Sequence, residues 1–86
     1  MLRQVSIKGE VSNCKYHTSG HIYFTIKDAG AAMTAIMFAG SRAAGLSFHM
    51  KEGDQVIVTG SVEVYEETGA YQLYAYKIEL DGEGLL

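Results

Sequence analysis

The sequence predicts an all-β fold, a five-stranded barrel with one short helix between the third and fourth strands. Three observations predict it. Apolar and polar residues alternate in five separate stretches, the period of a half-buried strand. No proline interrupts any of them. The alternation breaks between Gly40 and His49, where a short helix fits. At 86 residues and 48% hydrophobic content, the chain has material for one small core and one domain.

Residues 3–13 make the first strand, with Val5, Ile7, Gly9 and Val11 on one face and Ser6, Lys8, Glu10 and Ser12 on the other. Gly9, in the middle, predicts a bend or bulge of the kind a small barrel needs. Residues 13–20 are polar and end in the turn signal Ser19-Gly20. The second strand is 21–27: Ile22, Phe24 and Ile26 face one way, and His21, Tyr23, Thr25 and Lys27 the other. Asp28-Ala29-Gly30 turns the chain into a third strand, 32–39. There Met33, Ala35 and Met37 oppose Thr34, Ile36 and Phe38, so both faces are largely apolar.

Ser41 is placed to cap a helix that starts at Arg42 and includes Ala43, Ala44 and Leu46, with Gly45 weakening or ending it. Phe48 is expected to pack under the barrel. After the turn Lys51-Glu52-Gly53-Asp54, the fourth strand runs over 55–66 with Val56, Val58, Val62 and Val64 inward and Gly60 in its middle. Glu67-Thr68-Gly69 closes a hairpin. The fifth strand, 70–80, sets Tyr71, Leu73 and Ala75 against Gln72, Tyr74 and Tyr76. This order is that of the OB-fold, a five-stranded Greek-key barrel whose closure removes strand edges. An open meander or an SH3-like barrel is the alternative; the mid-chain helix and the two mid-strand glycines favour the OB arrangement. The domain is expected to span residues 1–80, with 81–86 as a flexible tail that begins a truncated following segment.

Charge is unevenly placed. Residues 1–51 hold six basic and two acidic side chains, a net of +4, whereas 52–86 hold one basic and eight acidic, a net of −7. One half therefore invites a polyanion although the whole chain carries −3. No run of about 18 apolar residues exists to cross a membrane. A single cysteine, Cys14, excludes an internal disulfide and fits a reducing cytoplasm.

In an OB-fold the face of strands two and three binds oligonucleotides. That face here carries His21, Tyr23, Thr25, Lys27 and Phe38, with Lys15, His17 and Arg42 around it. Tyr23 and Phe38 offer rings for stacking bases, and Lys15, Lys27 and Arg42 offer cations for phosphates. His17 and His21 are expected to donate to phosphate or to backbone groups at the turn. Tyr74 and Tyr76 either extend that aromatic surface or, the favoured reading, are ordinary strand tyrosines. Cys14, His17 and His21 have a spacing reminiscent of metal ligands. A structural zinc takes four ligands, though, and the two histidines lie across a turn, so no metal site and no cofactor are expected. No nucleophile–base set, P-loop or nucleotide-binding glycine motif is present, and the chain alone is not expected to be an enzyme.

The stretch GEVSNCKYHTSGHIYFTIKD, followed by AAMTAIMFAG and by VIVTGSVEVYEETGAYQLYAYKIEL, resembles the N-terminal OB-fold domain of the exodeoxyribonuclease VII large subunit, from about Val5 to Gly84. The resemblance implies a module that engages single-stranded DNA through positions matching Lys15, His17, His21, Tyr23, Lys27 and Phe38. It also implies a nuclease region downstream and a small partner subunit bound outside this chain. Where the family often carries basic residues, this chain has Thr34 and Ala39. The family's usual helix before the first strand is not seen, which suggests a fragment. The expected function is non-catalytic binding of single-stranded DNA that falls steeply with salt. The alternatives are an RNA-binding module or a protein-interaction module, a possible homodimer, that pairs by strand addition.

Overall fold

The computed structural model describes residues 3–28, 30–65 and 70–81. In chain order the elements are β1 (Arg3–Tyr16), β2 (Ile22–Asp28), β3 (Ala31–Met37), α1 (Ala39–Gly45), β4 (Gln55–Tyr65) and β5 (Ala70–Leu80). The sheet closes as β1-β2-β3-β5-β4, with antiparallel neighbours except for a parallel β3–β5 contact at Thr34–Gln72, Ala35–Leu73 and Ile36–Tyr74. This is the barrel the alternation predicts. Because every strand has a partner on each side over part of its length, the continuous free edge needed for strand addition is reduced.

The alternation works as expected at the core. Ile22, Phe24 and Ile26 of β2 meet Val11, Ala35, Met37, Val56, Val58, Leu73, Ala75 and Ile78 inside the barrel, with Met50 from the segment before β4. Each large aliphatic or aromatic side chain fully withdrawn from water contributes on the order of 1.5–3 kcal/mol. Phe48 is half-buried against this cluster, as predicted.

β1 serves both sides of the barrel. Residues Arg3 to Glu10 pair with β4, and Glu10 to Tyr16 pair with β2, so Glu10 faces both Gln55 and Lys27. The change of partner falls beside Gly9. A Cβ there would lie 2.5 Å from the Lys27 carbonyl oxygen, so the absent side chain is what lets β1 bend so close to β2.

The first strand is also longer than its alternation indicates. Ser12 pairs with Thr25 and Lys15 with Tyr23, so three steps along β1 match two along β2. This bulge holds Asn13 at φ 51, a left-handed conformation asparagine tolerates better than most residues. Past it, Cys14 and Tyr16 pack on the core and Lys15 points out.

Other differences have local causes. The helix begins at Ala39 rather than Arg42, with Phe38 at its N-cap and no side-chain cap from its own first residues. Val64 and Tyr71 share the inward parity of their strands but are 50% and 59% exposed. They pair with each other beyond the last β1 and β3 partners, Val62 and Gln72, so nothing in the described barrel lies over them. At the other end of β5, Asp81 donates its N–H to the Gln55 carbonyl at 2.9 Å, so the described part of the expected tail is tied to β4. The predicted hairpin turn at Glu67-Thr68-Gly69 and residues 82–86 lie outside the described residues.

Candidate nucleic-acid interface

Successive β2 residues alternate between core and exterior, which turns Tyr23, Thr25 and Lys27 outward while Ile22, Phe24 and Ile26 are buried. Registry across the sheet extends each of these into a row. Tyr23 lies between Lys15 of β1 and Ile36 of β3, and Ile36 lies beside Tyr74 of β5. Thr25 sits between Ser12 and Thr34, and Thr34 beside Gln72. Lys27 sits between Glu10 and Ala32. Lys15, Tyr23, Thr25 and Lys27 thus share one outer face.

The next aromatic ring comes from the strand-to-helix junction. Phe38 is 44% exposed and stacks on Tyr74, ring centroids 5.8 Å apart and planes 16° from parallel. His21 meets the same Phe38 ring edge-on, at 5.1 Å and 86°. Tyr23, 38% exposed, is met edge-on by His17 at 5.9 Å and 82°. The face therefore presents two groups of rings, Tyr23 with His17 and Phe38 with Tyr74 and His21, with Lys15 of β1 beside Tyr23 and Lys27 near the far end of β2. Such a surface takes bases on its rings and phosphates on its cations.

Tyr74 is the residue that strand-by-strand reading undervalues. Its signal was its parity with Gln72, opposite the buried Leu73, but its stacking partner lies 36 positions earlier and comes near only through the parallel β3–β5 contact. Tyr76, by contrast, exchanges a 2.6 Å hydrogen bond with the Ser61 hydroxyl, which anchors it to β4.

Arg42 occupies a different place from the other predicted residues. Its Nη1 donates to the Gly20 carbonyl at 3.0 Å, and its guanidinium lies 5.3 Å over the Tyr16 ring. Tyr16 also stacks on His49 at 4.8 Å and donates its hydroxyl to the Met50 carbonyl at 2.9 Å. Arg42 thus braces the β1–β2 turn against α1, and burial raises the Tyr16 phenol above its ordinary pKa despite the lowering effect of the Met50 bond and of Arg42.

Cys14 is half-buried, and its thiol donates to the Met50 carbonyl at 3.6 Å. Burial first, then the nearby Glu52 and Asp54 carboxylates, push that thiol up. Among the described residues, no three His, Cys, Asp or Glu side chains converge as metal ligands would. Nor is any helix long and apolar enough to cross a membrane.

The comparisons with known proteins agree with this geometry. The chain is 60% identical over 86 residues to the exodeoxyribonuclease 7 large subunit of Lachnoclostridium phytofermentans, which covers 100% of this chain and 21% of that protein. It is 54% identical over 85 residues to the same subunit of Lysinibacillus sphaericus, covering 99% of this chain and 19% of the relative. It spans about a fifth of the length of these curated relatives. Among solved structures, the mitochondrial single-stranded DNA binding protein of S. cerevisiae superposes with a TM-score of 0.72 at 18% identity, over 94% of this chain and 97% of that one. The asparaginyl-tRNA synthetase of Pyrococcus horikoshii gives the same TM-score and identity, over 93% of this chain and 20% of its own. At such identities these two likenesses speak for the fold alone. The model of the family described as OB-fold nucleic acid binding domain matches residues 1–79, and to that family this chain belongs.

Proposed function

We propose that this domain binds single-stranded DNA across the outer face of β2, β3 and β5 and positions it for a nuclease region carried elsewhere in a longer protein. The observation that carries the reading is the set of partly exposed rings Tyr23, Phe38 and Tyr74, the last two stacked, on the face that also holds Lys15 and Lys27. Bases stack on such rings without strong sequence preference because every base has a π-face. The likeness to exodeoxyribonuclease 7 large subunits supports DNA as the polymer and a nuclease as the setting. In that setting the domain itself holds and guides the strand, and cleavage and a small partner subunit belong to other regions. A reducing cytoplasm suits the half-buried thiol of Cys14.

Fluorescence anisotropy of a labelled oligothymidine at low and moderate salt tests the reading. Binding at low salt is expected, and its complete absence would overturn it. Tyr23→Ala combined with Lys27→Ala should weaken binding, and unchanged affinity would move the site to another face. A labelled oligouridine of equal length, bound more tightly than oligothymidine, would replace DNA with RNA as the ligand.

A further inference from the structure

His17 and His21, which the sequence expects to donate to phosphate or to backbone groups at the turn, each accept a backbone hydrogen bond at Nδ1. The N–H of Ala39, at the start of α1, donates to Nδ1 of His21 at 2.9 Å. The N–H of Ser19 donates to Nδ1 of His17 at 3.1 Å, and the Ser19 hydroxyl lies 2.8 Å from the same atom. A backbone N–H only donates, so each Nδ1 must be a bare acceptor and each ring must carry its proton on Nε2. Both rings then stand nearly perpendicular against an aromatic of the binding face, His21 against Phe38 and His17 against Tyr23.

The same arrangement therefore occurs twice around one turn. In each case the imidazole ties its Nδ1 to a backbone amide and packs in a T-shaped contact against a ring that is 44% or 38% exposed. Half-exposed rings on a strand surface choose among several rotamers unless something fixes them. For His21 the tie also supplies the cap that Phe38 does not give the helix. The turn itself is held to α1 by the Arg42 bond to the Gly20 carbonyl, so the brace has a rigid base.

We propose that His17 and His21 are positioning residues: neutral, Nε2-protonated braces that fix Tyr23 and Phe38 in the orientation that accepts bases. The inference rests on the proposed DNA-binding reading for its consequence and on hydrogen-bond geometry for its mechanism. The test has one arm for each.

In the free protein, a long-range nitrogen–proton NMR spectrum at neutral pH should show Nδ1 unprotonated and Nε2 protonated in both rings. A proton on Nδ1 of either histidine would overturn the brace for that residue. This arm needs no ligand and no variant. In the second arm, oligothymidine affinity is measured for His21→Ala, Phe38→Ala and the double variant, and likewise for His17→Ala with Tyr23→Ala. Each histidine substitution should weaken binding by at least about twofold in the native background and have little effect once its aromatic partner is gone. Equal effects in both backgrounds would mean that the histidine contacts DNA on its own account, and the proposal would fail. If the unaltered protein binds no oligothymidine, the DNA reading fails while the tautomer result still decides the brace.

Discussion

The response of binding to salt follows from how few cations the structure brings to the face. Lys15 and Lys27 point outward on the ring-bearing surface, flanking Tyr23 and Thr25. Arg42 is turned to the Gly20 carbonyl and the Tyr16 ring, Lys51 lies 3.0 Å from the Asp54 carboxylate, and Lys8 lies 3.9 Å from that of Asp81. A single strand loses about 0.7 in the slope of log affinity against log salt for each phosphate neutralised. Two lysines thus give a slope of about −1.4, so a rise from about 50 to 200 mM salt should weaken binding only about sevenfold. This is shallower than the steep dependence expected from sequence. Anisotropy titrations of a labelled oligothymidine at four or five salt concentrations give the slope directly. Lys15→Gln together with Lys27→Gln should flatten it to near zero, leaving the stacking component. A loss of about fiftyfold over the same range, the value for four phosphate contacts, would refute the assignment of cations to the face.

Three further outcomes are expected. Phe38→Ala and Tyr74→Ala should each weaken oligothymidine binding by about 5- to 150-fold, the equivalent of roughly 1–3 kcal/mol of base stacking. Their combined effect should fall short of the product because the rings touch, and a full product in the same titration would contradict a shared platform. Gly60→Ala would push a methyl into the Tyr74 carbonyl and to 2.9 Å from Ala75 Cα, backbone that has no room to yield. A cost of about 1–3 kcal/mol should lower the melting temperature by about 4–20 °C, and an unchanged melt would show that the β4–β5 ladder, whose register shifts between Thr59 and Gly60, relaxes freely. Asp54 accepts the Lys51 N–H at 3.0 Å, and that bond, with the Lys51 ammonium and His49, holds its carboxyl below the usual range. A depressed carboxyl stabilises the fold fully above its unfolded pKa of about 3.9, and that contribution is lost as pH falls through the lower folded value. Asp54→Asn should therefore shrink the drop in melting temperature on acidification below about pH 4, and an unaltered acid limb would remove Asp54 from that role.

How much could be read from the sequence divides along physical lines. Wherever strands alternate cleanly, residue type alone settles which side chains enter the core, as with Ile22, Phe24 and Ile26 or Val56 and Val58. The outward set Tyr23, Thr25 and Lys27 follows from the same parity. What alternation cannot carry is contact between distant segments. The Phe38–Tyr74 stack depends on a parallel pairing between strands separated by a helix and another strand. Arg42 reads as a surface cation in a helix, yet the β1–β2 turn folds back to meet it. Val64 has the right parity for burial but lies past the end of the barrel's other strands. The imidazole ties are local in sequence for His17 and Ser19 but span 18 positions for His21 and Ala39, and hydrogen-bond direction is invisible to residue type.

The bulge at Asn13 acts as a change of phase in the first strand. Before it, odd-numbered residues such as Val11 turn toward the core; after it, even-numbered ones do, as Cys14 and Tyr16 demonstrate. Drawing Asn13 into the regular extended ladder, with no residue removed, would rephase the rest of the strand. The Lys15 ammonium would swing toward the barrel's apolar interior, and the Tyr16 ring, with its hold on His49, Met50 and Arg42, would swing into water. A shift of that kind substitutes no residue, yet it would remove a cation from the ring-bearing face and unlatch the turn from the helix together. Whether this surface is basic at all near β1 is thus decided by one left-handed backbone torsion.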